Sequence, residues 1–184
     1  MTGQLLTVDH FLRGWVVTHR IHVVDGALWA LSVVGRGGLV WLLIGAGLAA
    51  CGRLTWRDVG RLALALLLAS LVANQGLKPI IQRERPFVGT PEVLVIGGPP
   101  SDASFPSGHA ANAFAGALVL ARTAPGARVF WWLLAIAIAF SRVYLGVHYP
   151  LDVIGGGLVG LACAALALRV TRRYSAEARV RRPG

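Results

Sequence analysis

Acids are scarce in this 184-residue chain, which carries eight Asp and Glu against eighteen cations, and Lys78 is its one lysine. Charged residues make up 14% of the sequence and apolar ones 55%, where an average soluble domain has about 25% charged. Cysteine is rarer still. Cys51 and Cys163 lie in or beside apolar runs, so number and placement exclude a disulfide framework. No Cys-x-x-Cys is present, and a zinc knuckle or redox motif has no basis. The N-terminal segment does not read as a cleaved signal peptide, because Asp9, His10, Arg13, His19 and Arg20 interrupt any apolar core. The net charge of +10 would suit a nucleic-acid partner. The arginines, however, fall between long apolar runs instead of lining one soluble face, which argues against nucleic acid. What remains is an integral membrane protein.

Apolar runs over 37–51, 59–77, 107–121, 129–147 and 150–168 predict five transmembrane helices in an all-α membrane helix bundle. The first extends back to residue 27 if Gly35, Gly37 and Gly38 break or kink it beside Arg36. The third is short, so its start is expected below the membrane surface. Residues 4–20 place Leu5, Val8, Leu12, Trp15 and Val16 on one helical face, as in an amphipathic helix lying at the interface. A sixth span there is the alternative. Residues 1–172 form one membrane-embedded domain, and 173–184 form a loose basic tail suited to retention and contact with anionic lipid. Gly156 and Gly160 make a small-xxx-small pair for close helix packing. Arg53, Arg57 and Arg61, then Arg122 and Arg128, then the arginines of the tail all fall on one side. The positive-inside rule makes that side cytoplasmic, with the C-terminus.

Three segments then emerge together on the opposite, extracytoplasmic face. They are Lys78 to Pro86, Ser104 to His109, and Ser141 to Asp152. Lys78, Arg85 and Arg142 supply three cations, two of them guanidinium forks suited to phosphate oxygens. Ser107 offers a hydroxyl, and Gly108 and His109 open a helix whose free N–H groups and dipole favour an anion. This is a phosphate cradle with no metal or other cofactor. His148 and Asp152 are four residues apart, so the carboxylate reaches the imidazole and leaves its other nitrogen free as a nucleophile. His109 is then the proton donor to the leaving oxygen.

Each residue alone has a plainer use. Ser107 would cap a helix, Arg142 would snorkel to the interface, Lys78 would be a juxtamembrane cation, and Asp152 would sit in a first turn favoured by the dipole. Their joint arrival on one membrane face weighs against coincidence, since ionisable residues at membrane depth are costly and mark function. Arg83 and Glu84 read as a local pair or a substrate rim. The Gly- and Pro-rich loop 87–103 reads as a lid over a lipid head group.

Lys78-x6-Arg85-Pro86, Pro106-Ser-Gly-His109 and Ser141-Arg142-x5-His148-x3-Asp152 together resemble the three-part signature of the type-2 phosphatidate phosphatase superfamily. The resemblance implies a membrane enzyme that hydrolyses lipid phosphates through a phosphohistidine. It implies His148 as nucleophile, Asp152 as its orienting partner and His109 as acid and base. Lys78, Arg85, Ser107, Gly108 and Arg142 would hold the phosphate. Many bacterial members have six spans, where five plus an interfacial helix are expected here. The Asp-Ala-Ser-Phe-Pro-Ser and His-Tyr-Pro-Leu-Asp forms resemble small bacterial undecaprenyl-diphosphate phosphatases of the cell membrane. Phosphatidylglycerophosphate, phosphatidate and lipid A phosphates are the alternative substrates. A small anion channel or transporter is the rival class. It would need polar residues through the membrane depth, whereas only Asn74, Gln75 and Asn112 lie below the outer end. A vanadate-dependent oxidase would need a soluble body.

Overall fold

The computed structural model describes the backbone of residues 2–180 and the side chains of 3–172. All regular structure among the described residues is helical: α1 (Thr2–Thr18), α2 (Asp25–Val34), α3 (Leu39–Ala50), α4 (Trp56–Ser70), α5 (Lys78–Ile81), α6 (Gly108–Thr123), α7 (Arg128–Tyr144) and α8 (Pro150–Val180). The helix of α8 thus runs into the segment expected as loose tail, whose side chains lie outside the described residues.

Local chemistry sets the breaks. Thr55 and Asp58 close a capping box at the start of α4, each side chain taking the other's backbone N–H at 3.2 Å. Gly37 and Gly38 take φ of 61° and 79°, and the chain bends by 53° between α2 and α3, as left-handed glycines permit. A π-helical turn, Leu71–Leu77, joins α4 to α5 without ending the rod. Such widened turns frequently sit at functional sites.

α6 is the centre of the bundle, touching α3, α4, α7 and α8. Its inward residues are mostly alanine, and helix backbones therefore come close. A Cβ on Gly160 of α8 would stand 2.0 Å from the Ala111 carbonyl oxygen of α6, and one on Gly156 would stand 2.3 Å from that of Ser107. The expected small-residue pair is thus a backbone-to-backbone seam. Outside, the order of a soluble protein is reversed: Leu67, Leu133, Ile136 and Leu158 are exposed. α1 follows the same logic, turning Asp9 and Arg13 inward and Leu5, Phe11 and Trp15 outward.

Three helical segments among the described residues are long and apolar enough to cross a membrane: Trp56–Ile81, Pro125–Tyr144 and Pro150–Arg172. The bent pair His22–Val34 and Arg36–Ala50 makes a fourth if it is one span. That is fewer than the five or six expected, and α6, expected as the third span, is not among them. At 16 residues it is about 24 Å long, short of a hydrocarbon core of about 30 Å.

Candidate active site

The three segments singled out in the sequence meet around one cavity of about 440 Å3, lined by Lys78, Arg85, Gly108, His109, Arg142 and His148 among others. Each arrives from a different element. Lys78 opens α5, Arg85 follows it in the loop, Gly108 and His109 begin α6, Arg142 ends α7, and His148 sits in the connection to α8. Lys78, Arg85 and Arg142 are each less than a tenth exposed, which makes them unusually poor in water for charged groups.

His148 and Asp152 are fully enclosed. Imidazole Nδ1 lies 3.4 Å from Asp152 Oδ2 and 3.4 Å from Ser104 Oγ. Oδ2 also accepts the Ser104 hydroxyl at 2.5 Å and the Tyr149 N–H at 2.8 Å. With Nδ1 facing a carboxylate, the hydrogen belongs there. Nε2 is left on the Arg85 side, 3.5 Å from a guanidinium nitrogen. Burial, only partly offset by Asp152 and reinforced by Arg85 and Arg142, pushes the imidazole down to about 4.

Arg142 donates to the Ser32 hydroxyl of α2, and its Nε is buried with no partner. Gly108 packs against the π-helical turn, where a Cβ would come within 2.5 Å of Asn74 Oδ1. Ser107 is placed differently. Its hydroxyl caps α6 by accepting the Ala110 N–H at 3.5 Å, its N–H donates to the Asp152 carbonyl at 2.9 Å, and it does not line the cavity.

Several residues outside the motifs belong to the same assembly. Arg36 and Asn74 line the cavity. Asp102 pairs with Lys78, accepts from Arg85 Nη2 at 2.6 Å and gives its carbonyl to Arg85 Nε at 2.7 Å. Burial alone would raise its carboxyl, but Lys78 and Arg85 outweigh that and hold it at about 2. Arg83, read from the sequence as a local pair or rim, instead points inward. It donates to Asp152 Oδ1 at 2.7 Å and to Asp9 Oδ2 of α1 at 2.6 Å. Glycine breaks flag Arg36 in the sequence; Asp9, Arg83 and Asp102 have no spacing that reveals them.

Cations crowding a cavity that also holds two imidazoles suit a phosphate ester. Known proteins agree in kind. Residues 58–175 match the model of the PAP2 superfamily. An undecaprenyl-diphosphatase of Sulfolobus acidocaldarius is 32% identical over 83% of this chain and 73% of its own length. A decaprenylphosphoryl-5-phosphoribose phosphatase of Mycolicibacterium smegmatis is 38% identical over 73% of this chain and 71% of its own. The crystal structure of a PAP2-type phosphatidylglycerolphosphate phosphatase from Bacillus subtilis superposes with a TM-score of 0.74 at 26% identity, covering 92% of this chain and 87% of that one.

Proposed function

The chain belongs to the PAP2 superfamily, whose phosphatases act on lipid phosphates, and on that premise we propose that it converts undecaprenyl diphosphate to the monophosphate through a phosphohistidine. The observation that carries this reading is the convergence of both histidines and three cations on one cavity. His148 Nε2 attacks the terminal phosphorus as the bond to the bridging oxygen breaks. His109 protonates that oxygen as it leaves. Asp152 stabilises the imidazolium, as the acid of a nucleophile–base–orienter set does. Water, deprotonated by His109, then cleaves the N–P bond and releases phosphate. Lys78, Arg85 and Arg142 hold the equatorial oxygens, aided by the start of α6, where Gly108 and His109 line the cavity. Charge neutralisation rests on these groups, with no metal ion or other cofactor.

The site lies on the face that the positive-inside rule makes extracytoplasmic. α6 is then a fifth crossing, short because it starts at the cavity. α1 lies at the interface with its apolar side in lipid, and the membrane is the bacterial cell membrane. A reporter active only outside the cytoplasm, fused after Gly184, should stay silent, and strong signal there would invert this topology. The enzyme is tested by phosphate release from purified protein across undecaprenyl diphosphate, phosphatidylglycerophosphate, phosphatidate and lipid A, with His148→Ala as control. Preference for the prenyl diphosphate supports the reading. Preference for phosphatidylglycerophosphate would favour the activity named for the superposed Bacillus structure.

A further inference from the structure

One guanidinium joins two enclosed carboxylates from distant parts of the chain. Arg83 Nη1 meets Asp152 Oδ1 at 2.7 Å and Nη2 meets Asp9 Oδ2 at 2.6 Å. Its plane lies over the Tyr149 ring, 4.2 Å from the centroid, and His10 stacks on the same ring at 4.6 Å. Asp9 is itself pinned, because its Oδ1 accepts the Leu151 N–H at 2.8 Å. That is the N–H of the residue before Asp152, in the first turn of α8, so Asp9 supplies from α1 an acceptor for one of the N–H groups at that helix start. A buried ion pair that breaks on one side leaves a stranded charge, at a cost far above that of a surface pair. Asp9, Arg83 and Asp152 therefore hold each other in one geometry.

We propose that Arg83 and Asp9 are positioning residues for the hydrolysis: Arg83 clamps the Oδ1 side of Asp152 so that Oδ2 faces His148, and Asp9, carried by the N-terminal helix, clamps Arg83. The inference rests on the phosphohistidine reading above. It makes α1, which lies outside the matched family segment, part of the active site. It also divides charge. Asp152 is shared between His148 and Arg83, so its pull on an imidazolium is weakened, and the nucleophile stays neutral and ready to attack.

The groups that bear on His148 and Asp152 come from every neighbouring element. Asp9 and His10 come from α1, Arg83, Arg85 and Asp102 from the loop, His109 from α6, Arg142 from α7, and Tyr149 from the connection. Within that set the two proposed residues carry opposite signs, and this yields a test that a purely structural role fails. Histidine-selective NMR of the ligand-free, full-length protein in detergent micelles reads the titration of His148, identified by its loss in His148→Gln. Arg83→Gln removes a cation and releases Asp152 to His148, so the titration should move up by about one unit or more. Asp9→Asn keeps an oxygen for Leu151 but removes a negative charge, so the titration should move down. Arg83→Lys should restore most of the wild-type value.

The acid limb of kcat/KM on undecaprenyl diphosphate in micelles should follow the same order, with kcat reduced more than KM is raised. Shifts of both variants in one direction, or no shift in Asp9→Asn, overturn the clamp. If Arg83→Gln fails to fold, Asp9→Asn and Arg83→Lys still decide by the same readout. Turnover by His148→Ala would sink the phosphohistidine reading instead, and the ligand-free titration separates that failure from this one.

Discussion

Arg85 and Asp102 are joined twice, side chain to side chain at 2.6 Å and guanidinium to backbone carbonyl at 2.7 Å. The same carboxylate also pairs with Lys78. Two of the three cations proposed to hold phosphate are thus held by an internal anion. An incoming phosphate must displace it or share with it. Asp102→Asn should therefore bind vanadate, a five-coordinate mimic of the transferring phosphoryl group, about five-fold more tightly, the scale of about 1 kcal/mol for a half-exposed pair. Competition between vanadate and turnover measures it, and unchanged or weaker binding would show that Asp102 supports the cradle.

The pH profile follows from the enclosure of His148. In the proposed mechanism its neutral form attacks, and burial lowers its pKa from 6.5 to about 4. Activity is retained while pH falls through 6.5 and is lost only as it falls through about 4. kcat/KM reports the free enzyme, so its acid limb on a saturating series of buffers should lie below pH 5. A limb near 6.5 would mean that the imidazole is hydrated before substrate binds.

Arg142 has a buried Nε without a partner, beside the cavity. A donor waiting for charge that develops in the transition state typically contributes about 100- to 1,000-fold in rate. Arg142→Ala should lose that much in kcat while eluting as folded protein. In the wild type, activity should survive excess chelator. Loss on chelation that one divalent ion restores would overturn the metal-free mechanism.

Gly160→Val probes the seam between α6 and α8, where a Cβ would stand 2.0 Å from the Ala111 carbonyl oxygen. Backbone cannot yield as a side chain tip does, so the overpacking should cost about 1–3 kcal/mol. The midpoint of thermal aggregation in detergent should fall by several degrees. Gly47, with nothing within 4 Å of a Cβ, is the control, and Gly47→Ala should leave the midpoint in place.

How much of this was legible in the sequence depends on the range over which each feature is written. His148 and Asp152 are one helical turn apart, and the cap at Ser107 and the glycines at 37 and 38 are equally local, so their geometry follows from spacing. The convergence of Lys78, Arg85, His109 and Arg142 followed from counting spans, because alternation assigns a face before any contact is known. The pairing of Asp9 with Arg83 crosses 74 residues, and no periodicity records it. α1 shows a subtler limit. Its two faces were readable, but an apolar stripe does not say whether it meets protein or lipid, and here Asp9 and Arg13 turn inward. The span count differed because α6 has only 16 residues, and an apolar run alone does not tell a helix buried in a bundle from one long enough to cross lipid.

That packing of α6 has a consequence for how the protein is made. A 16-residue helix with Gly108 and His109 at its start and Asn112 in its first turns is a poor substrate for stepwise insertion, in which each helix must prefer lipid to water by itself. On the topology proposed above, in which α6 is a crossing, its insertion depends on α7 and α8, which pack against it along with α4. A chain ending soon after Thr123 should therefore leave α6 outside the membrane and open to protease, although every residue of that helix is present.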